Sequence, residues 1–306
     1  MTEILILGGS GFIGKNLIIK CLEKKWKITS ISNKRKLDIN HKLLKKHNID
    51  LSNYKKIEKI LKNKNFDYVI NASGYVNHDN KISSSKKIIN EHFINIVNVI
   101  NFINKEKLKK FVQIGSGDEY GNYKKKLSEN LREQPISNYA LAKTAITKYL
   151  EFLNRDNNFP CIILRVFLLY GPYQNKNRLI PFVINNSLNA KTFPVSKGKQ
   201  LRDFCYIDDF IELIFKILKS NKKIQNPIFN VGSGKSYQIR DVINKIITII
   251  KSGNPKYGKI ANTNTSNIDI IPDLNKIQNT FKWKSKINLN DGLNKTINFI
   301  KNDGLY

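Results

Sequence analysis

Short apolar runs alternate with segments of helical periodicity through the first half of the chain. Runs dominated by apolar residues, such as 4–7 and 161–167, are typical of strands that are buried on both faces of a parallel sheet. The predicted strands are 4–7, 26–32, 67–72, 111–115 and 161–167, and the predicted helices between them are 15–24, 51–62, 84–105 and 138–154. This alternation predicts a doubly wound (Rossmann) α/β fold, in which crossover helices cover both faces of a parallel sheet.

The pattern becomes less regular after Gly171 and Pro172. The second half is predicted to contain short helices at 179–188, 209–219 and 239–251 and one strand at 227–231. We therefore expect a Rossmann domain over residues 1–170 and a smaller, mixed α/β C-terminal substrate lobe over 171–306. Part of that lobe, about residues 200–232, is expected to return to the Rossmann domain.

A glycine-rich turn connects the first predicted strand to the first predicted helix. Its glycines allow a tight turn and a close approach of the backbone to a diphosphate, which the free N–H groups of the helix N-terminus attract. A strand before the glycines and a helix after them is the context that a dinucleotide-binding motif requires. A glycine-rich turn without a ligand is the alternative. The predicted cofactor-binding residues of this turn are Gly8, Ser10, Gly11, Phe12, Ile13 and Gly14.

A tyrosine and a lysine lie four residues apart in a predicted helix, at Tyr139 and Lys143. They share one helix face, and an ammonium group near a phenol favours the phenolate, so Tyr139 becomes a usable acid or base nearer neutral pH. Lys143 can also reach the ribose of a nicotinamide nucleotide. Ser116 stands at the end of the predicted strand 111–115, where its hydroxyl can bind the reacting oxygen. A surface pair on an exposed helix is the alternative for Tyr139 and Lys143.

The composition excludes several other classes of protein. The formal charge is +29, with 53 Lys and Arg against 24 acidic residues, but only seven of the 53 are arginine. Because the lysines are scattered and no basic stretch has a recognition-motif context, we interpret the charge as solvated surface and expect no nucleic-acid partner. No apolar run has the length of a membrane span, and no signal peptide is recognised, so a cytoplasmic protein is expected. Cys21, Cys161 and Cys205 indicate reduced core thiols.

The histidines show no metal-ligand spacing. We expect no metal site and assign loop or surface positions to all four, which are His41, His47, His78 and His92.

Taken together, the glycine loop, Ser116 and the Tyr139/Lys143 pair resemble the extended short-chain dehydrogenase/reductase family, and within it the nucleotide-sugar epimerases, dehydratases and reductases. The resemblance covers nearly the whole chain and implies a nucleoside-diphosphate sugar as substrate. It implies that Ser116, Tyr139 and Lys143 are catalytic, and that Tyr139 and Lys143 also contact the cofactor. It also implies cofactor contacts from Asp50, Leu51, Ala72, Ser73 and Gly74, and substrate contacts from Arg178 and Arg202.

Two departures from the family pattern narrow the expected reaction. Family dehydratases carry an Asp-Glu pair directly after the catalytic hydroxyl residue, and those positions here hold Gly117 and Asp118. A 4,6-dehydratase would therefore lack one of its proton carriers. Asp118 is interpreted either as a substrate contact or as a helix-start cap. Leu168 stands where many members have an asparagine that touches the substrate. The resemblance therefore does not identify which sugar this chain binds.

A third departure from the family pattern concerns the cofactor. An acidic residue about 20 positions after the glycine loop normally binds the ribose 2′-hydroxyl of NAD. The corresponding residues here are Ser32, Asn33, Lys34 and Arg35, which suit a 2′-phosphate. The sequence therefore favours NADP(H), with NAD(H) as the alternative if the two cations only belong to the basic surface.

These observations together predict an NADPH-dependent reductase of a nucleoside-diphosphate 4-keto-6-deoxy sugar, a reaction that supplies deoxysugars for surface glycans. The alternative is an NAD-dependent nucleotide-sugar 4-epimerase. A 4,6-dehydratase and a non-catalytic NADP-binding sensor are further alternatives. By analogy with the family, a homodimer is expected through the long helix 84–105 and the helix that carries Tyr139.

Overall fold

A computed structural model describes residues 1–33, 37–76, 80–260 and 269–304. The chain divides into two compact units. The first contains Met1–Gly121, Arg132–Arg165 and Ile214–Phe229, and the second contains Asn122–Leu131, Val166–Leu213 and Asn230–Tyr306.

Twelve strands and ten α-helices are present in the part of the chain just given. The strands are β1 (Glu3–Leu7), β2 (Lys27–Ser32), β3 (Leu44–Asn48), β4 (Tyr68–Asn71), β5 (Lys110–Ser116), β6 (Cys161–Val166), β7 (Leu168–Tyr170), β8 (Thr192–Val195), β9 (Leu201–Tyr206), β10 (Ile228–Val231), β11 (Ser236–Gln238) and β12 (Asn254–Tyr257). The helices are α1 (Phe12–Glu23), α2 (Tyr54–Leu61), α3 (Ile82–Ile89), α4 (Asn95–Phe102), α5 (Asn138–Asn157), α6 (Leu179–Leu188), α7 (Ile207–Lys219), α8 (Ile239–Ile250), α9 (Asn275–Phe281) and α10 (Leu289–Asp303).

Seven strands form one parallel sheet in the order β10-β6-β5-β4-β1-β2-β3. The chain starts in β1 and proceeds outward to β2 and β3, then returns to the other side of β1 with β4. Leu5 pairs with Thr29 of β2 on one side and with Val69 of β4 on the other. The predicted Rossmann fold is thereby confirmed. Because strand order reverses between β1 and β4, the carboxyl ends of these two strands border the crevice in which such sheets bind ligands.

Burial of the strands on both faces follows from their apolar sequences. In β1, Ile4, Leu5, Ile6 and Leu7 are all fully buried, as a strand covered by helices on both faces requires. Helices α2, α4 and α5 pack against one face through buried aliphatic residues, among them Ile57, Ile100 and Ile146. Apolar burial of this extent is the main source of the stability of the unit.

The second unit contains two small sheets. One has the order β11-β9-β7 and combines antiparallel and parallel pairing, and the other pairs β12 with β8 in parallel. Helix α8 has a C-terminal cap at Lys251 in the left-handed conformation. This mixture of short strands and helices agrees with the mixed α/β character predicted for the C-terminal lobe, whereas the predicted domain boundaries stay a prediction.

The structure differs from the sequence prediction in the long helix expected at 84–105. That segment is divided into α3 and α4 by a π-helical turn, Asn90–Ile94. Strand β3 was not predicted at all, because its sequence Leu-Lys-Lys-His-Asn contains one apolar residue. None of the helices in the described ranges has the length and apolar character needed to cross a bilayer. Cys21, Cys161 and Cys205 are free and buried, and burial raises the pKa of Cys21 and of Cys161 to about 12.

Candidate active site

The glycine loop follows β1 and has a path that only glycine permits at two positions. Gly8 has φ of +80°, and a Cβ atom built on it would lie 2.6 Å from the carbonyl oxygen of Ala72. A Cβ atom on Gly14 would lie 2.2 Å from the carbonyl oxygen of Gly8. Gly11 closes the turn by donating its N–H to the same carbonyl at 3.0 Å. The backbone of β1 can therefore turn directly into α1 at the switch point of the sheet, which is the place where the strand order reverses between β1 and β4.

The N-terminus of α1 fits a diphosphate. The helix begins at Phe12, and its N-cap residue, Gly11, has no side chain that can bind the first N–H groups. A helix N-terminus with open N–H groups and a positive dipole end attracts anions. Phe12 and Ile13 occupy the first turn of this helix. The glycine loop, which forms a cradle of close backbone contacts, and the helix N-terminus without a side-chain cap together fit the dinucleotide expected from the sequence.

Four of the predicted cofactor-binding residues form two hydrogen-bonded pairs at this loop. The N–H of Ser10 donates to the hydroxyl oxygen of Ser32, at the end of β2, and the distance is 3.0 Å. The side-chain amide of Asn33 donates to the carboxylate of Asp50, which also accepts the N–H of Ser52 at 2.8 Å. Leu51 is half-buried against the core of the unit. Lys34 and Arg35 lie outside the described residues, so the basis for preferring NADP(H) stays a prediction.

The turn after β4 is fixed by Asn71. Its side-chain oxygen accepts the N–H and the hydroxyl of Ser73, at 3.1 and 2.5 Å. Its side-chain nitrogen donates to Gln113 of β5 at 2.8 Å. Gly74 has φ of +97°, and a Cβ atom there would lie 2.2 Å from the imidazole ring of His92. Ala72, Ser73 and Gly74 are thus held at the carboxyl edge between β1 and β5.

Ser116 is the last residue of β5 and the N-cap of a 3₁₀ turn, Gly117–Tyr120. Its hydroxyl oxygen accepts the N–H of Asp118 at 3.1 Å. Since that bond uses the oxygen only as an acceptor, the hydroxyl proton can still be donated to another oxygen. The cap of this turn is therefore Ser116, and the interpretation of Asp118 as the cap is wrong. A substrate contact by Asp118 stays a prediction.

Tyr139 and Lys143 lie on the buried face of α5, near its N-terminus. Their exposed fractions are 5% and 4%. The interpretation of this pair as an exposed surface pair is therefore wrong. Lys143 Nζ donates to the carbonyl oxygen of Ile114 at 2.8 Å and lies 5.9 Å from the centre of the Tyr139 ring. Burial lowers the pKa of Lys143 from 10.5 to about 8, and Glu119 opposes this effect. Ile114 precedes Ser116 by two residues, so the lysine links the helix to the end of β5.

A buried ion pair lies under the end of β5. The side chains of Glu119 and Arg165 are both 0% exposed, and Arg165 Nε donates to Glu119 Oε2 at 2.9 Å. Glu119 Oε1 accepts the N–H of Ser116 at 2.8 Å, which completes a capping box. Burial raises the pKa of Glu119 above its usual value, because the opposing effects of Arg165 and the Ser116 N–H offset the loss of hydration only in part. The guanidinium of Arg165 also lies 4.6 Å from the centre of the Tyr120 ring.

His92 was missed as a site residue, and its assignment to a loop or surface is wrong. It is 3% exposed and belongs to the π-helical turn. Its ring packs edge-on against the ring of Tyr139, with centroids 5.1 Å apart, and its Nε2 lies 3.0 Å from the carbonyl oxygen of Tyr75. A signal existed in the sequence, because His92 lies four residues after Ile88 and four before Ile96, on one apolar stripe of the predicted helix. The π-helical turn itself is typical of functional positions in long helices.

The two arginines predicted to bind substrate lie in the second unit. Arg178 is exposed and is the N-cap residue of α6. Arg202 is half-buried on β9, where its Nη1 donates to the carbonyl oxygen of Leu201 at 2.8 Å. Their predicted contacts with a nucleotide diphosphate stay predictions. Within the described parts of the chain, no three His, Cys, Asp or Glu residues are arranged to hold a metal ion.

The doubly wound sheet with a glycine cradle at its switch point defines a Rossmann-fold protein. The family model described as "NAD dependent epimerase/dehydratase family" matches residues 4–232. The chain belongs to this family, and the resemblance recognised in the sequence is confirmed.

Two relatives illustrate the range of activities that similar proteins carry. The chain is 29% identical to a dTDP-D-glucose 4,6-dehydratase from Dictyostelium discoideum, over 81% of this chain and 62% of that protein. It therefore spans less than two thirds of that relative. It is 26% identical to a dTDP-4-dehydro-6-deoxyglucose reductase from Escherichia coli, over 97% of each chain.

Solved structures show the same fold. A UDP-glucose 4-epimerase from Thermotoga maritima, solved with UDP-glucose, has a TM-score of 0.89 and 22% identity, over 99% of each chain. A UDP-glucuronic acid 4-epimerase from Bacillus cereus, solved with UDP-glucuronic acid and NAD, has a TM-score of 0.87 and 23% identity, over 98% of this chain and 99% of that one.

Proposed function

We propose that this protein is a nucleotide-sugar enzyme that reduces the 4-keto group of a nucleoside-diphosphate 4-keto-6-deoxy sugar with NADPH. The observation that carries the proposal is the set of groups at the end of β5. Ser116, Tyr139 and Lys143 offer a hydroxyl, a phenol and an ammonium group, whereas position 117 is a glycine. Reduction of a ketone needs one proton donor, so this set is sufficient without a second acid and base.

Each of the three residues has a defined role in the proposed reaction. The bound dinucleotide supplies the hydride that C4 receives. Tyr139 donates its phenolic proton to the oxygen that becomes the new hydroxyl. Ser116 polarises the same oxygen by a hydrogen bond from its hydroxyl, whose orientation the Asp118 N–H fixes. Lys143 holds the ribose and stabilises the phenolate that Tyr139 becomes.

NADP(H) is proposed as the cofactor because of the side chains that follow β2. Ser32 and Asn33 provide a hydroxyl and an amide, and positions 32–35 hold no carboxylate, whereas the Asp50 carboxylate accepts the Asn33 amide. Similar proteins solved with NAD support the site itself but not this preference. A higher affinity for NAD than for NADP would contradict it.

The test is the oxidation of NADPH, followed by its absorbance, with a panel of nucleoside-diphosphate 4-keto-6-deoxy sugars. We expect stoichiometric oxidation with at least one sugar, at a rate that is at least about 100-fold lower in Tyr139→Phe. The NAD-dependent 4-epimerase alternative predicts a different result. In that case the purified protein retains NAD through desalting, interconverts two nucleotide sugars and consumes no NADPH.

A homodimer in the cytoplasm is proposed as the working form. Apolar side chains are exposed in the two segments expected to pair, with Ile94 in the segment 84–105 at 36%, and Leu141 and Phe152 of α5 at 49% and 46%. Sedimentation of the wild type and of Phe152→Glu tests this arrangement, because a charge placed in an apolar dimer contact shifts the equilibrium to monomer.

A further inference from the structure

We propose that Glu119, held in place by Arg165, is a positioning residue that keeps Lys143 protonated and fixes the backbone of Ser116. The inference rests on the proposed function, since Glu119 acts through residues to which that function gives catalytic roles.

Both carboxylate oxygens of Glu119 accept a hydrogen bond, and each bond fixes a different element. Oε1 accepts the N–H of Ser116 at 2.8 Å, at the carboxyl end of β5. Oε2 accepts Nε–H of Arg165 at 2.9 Å, from β6. A donor on each oxygen favours the ionised carboxylate, because a protonated acid would direct its own O–H at one of these donors. Gly115 leaves room for this group, since a Cβ atom there would lie 2.7 Å from Oε1.

The pair continues to the surface as a chain of alternating charges. Arg165 Nη2 donates to Glu133 at 2.5 Å, and Lys148 lies 3.0 Å from the same carboxylate. The exposed fraction of the side chains rises along this chain, from 0% at Glu119 and Arg165 to 8% at Glu133 and 51% at Lys148. A buried ion pair is a poor source of stability compared with apolar packing. Its position at the end of β5 therefore suggests a role in the site.

Lys143 is the group on which this charge acts, because its Nζ donates to the carbonyl oxygen of Ile114, two residues before the Ser116 N–H that Glu119 accepts. Four titratable or charged groups face it or its tyrosine partner from the surrounding elements. They are Glu119 from the 3₁₀ turn, Tyr139 from its own helix, His92 edge-on to Tyr139 from the π-helical turn, and Arg165 from β6 beyond Glu119. Burial lowers the pKa of Lys143 to about 8, and Glu119 opposes that change. Without the Glu119 charge the pKa of Lys143 would be lower still, so a larger fraction of the amine would be neutral near pH 7, and a neutral amine cannot stabilise the Tyr139 phenolate.

Two matched variants test the proposal, Glu119→Gln and Glu133→Gln. Each removes one carboxylate charge from Arg165 and preserves the shape of the side chain, but only Glu119 contacts Ser116. The measurement is the NMR titration of the lysine side chains in the full-length protein without substrate, with Lys143 assigned through Lys143→Arg. We expect a midpoint near 8 in the wild type and in Glu133→Gln. In Glu119→Gln we expect a midpoint lower by about one pH unit or more.

Turnover provides the second measurement. In Glu119→Gln the rate should begin to fall on the alkaline side of its pH profile at a correspondingly lower pH. The profile of Glu133→Gln should match that of the wild type. Coinciding midpoints for the two variants would overturn the proposal. A Glu119 that is already protonated would give that result too. If no 4-keto sugar reacts with the wild type, the proposed function fails, but the lysine midpoints still decide the role of Glu119.

A double variant provides the test if Glu119→Gln does not fold. Glu119→Leu combined with Arg165→Met replaces the ion pair by apolar groups of similar volume, a change that buried pairs often tolerate. Lys143 still loses its counterion, so its midpoint should again fall below that of the wild type. An unchanged midpoint in this folded variant would also refute the proposal.

Discussion

Replacing Lys143 by methionine should stabilise the protein at neutral pH while removing its activity. Lys143 is 4% exposed, and burial lowers its pKa from 10.5 to about 8. A pKa difference of this size means that keeping the buried amine protonated at pH 7 lowers the free energy of unfolding by about 3 kcal/mol. The methionine variant avoids this cost but loses the hydrogen bond to the carbonyl oxygen of Ile114, which contributes about 1 kcal/mol. The net expectation is a gain of about 2 kcal/mol in the free energy of unfolding at pH 7.

The pH dependence fixes the origin of this gain. Below pH 8 the lysine is protonated in both states, so the wild type carries the full cost. Between pH 8 and 10.5 the unfolded state retains a proton that the folded state has lost, and the stability of the wild type rises with pH. Above 10.5 the cost has disappeared, and Lys143→Met should then be the less stable protein because of its missing hydrogen bond.

Urea denaturation of the wild type and Lys143→Met at pH 7 and pH 10 measures this difference. Lys148→Met is the control on the same helix. Its partners Glu133 and Glu151 raise the pKa of Lys148 despite its partial burial, so its removal should not stabilise the fold at pH 7. A stability difference between the wild type and Lys143→Met that is the same at both pH values would refute the reasoning.

Three further predictions concern the rest of the site. Tyr139→Phe should lower turnover by at least about 100-fold, because the proton donor is lost. Its dinucleotide affinity, measured by fluorescence titration, should stay within twofold of that of the wild type. A near-normal rate would contradict the role of the phenol. Gly14→Ala should abolish dinucleotide binding in the same titration, since its methyl group would lie 2.2 Å from the Gly8 carbonyl oxygen. His92→Phe should cost about 1 kcal/mol in urea denaturation through loss of the contact with the Tyr75 carbonyl, and unchanged stability would show that this contact is not a stabilising hydrogen bond.

The elements that form the sheet were predictable where their burial is symmetrical. Strand β1 is apolar throughout because helices cover both of its faces, so its sequence alone identifies it. Strand β3 lies at the edge and pairs only with β2, and its exposed lysines satisfy an edge position rather than a core. Such a strand has no periodicity to recognise. The π-helical turn could not be predicted either, because the apolar stripe of the predicted helix continues through it without a change of pattern.

The site was predictable in its chemistry but not in its surroundings. Ser116, Tyr139 and Lys143 were chosen because their residue types and local spacing suit proton transfer, and local spacing can be read from a sequence. Glu119 had a local signal too, since Ser116 and Glu119 have the spacing of a capping box. Its partner Arg165 lies 46 residues further along the chain, and only the pairing of β5 with β6 in the sheet brings the two together.

Three charged side chains are nearly or fully buried around the end of β5, Lys143, Glu119 and Arg165. Each lowers the stability that apolar residues would give at the same position, and the surface already carries most of the 53 basic residues. A fold that needed only packing would place no charge there. Because local rules are broken mainly where function requires it, this departure from a purely apolar core is an independent reason to locate the chemistry at this strand end. It is also the reason that Lys143→Met should separate stability from activity.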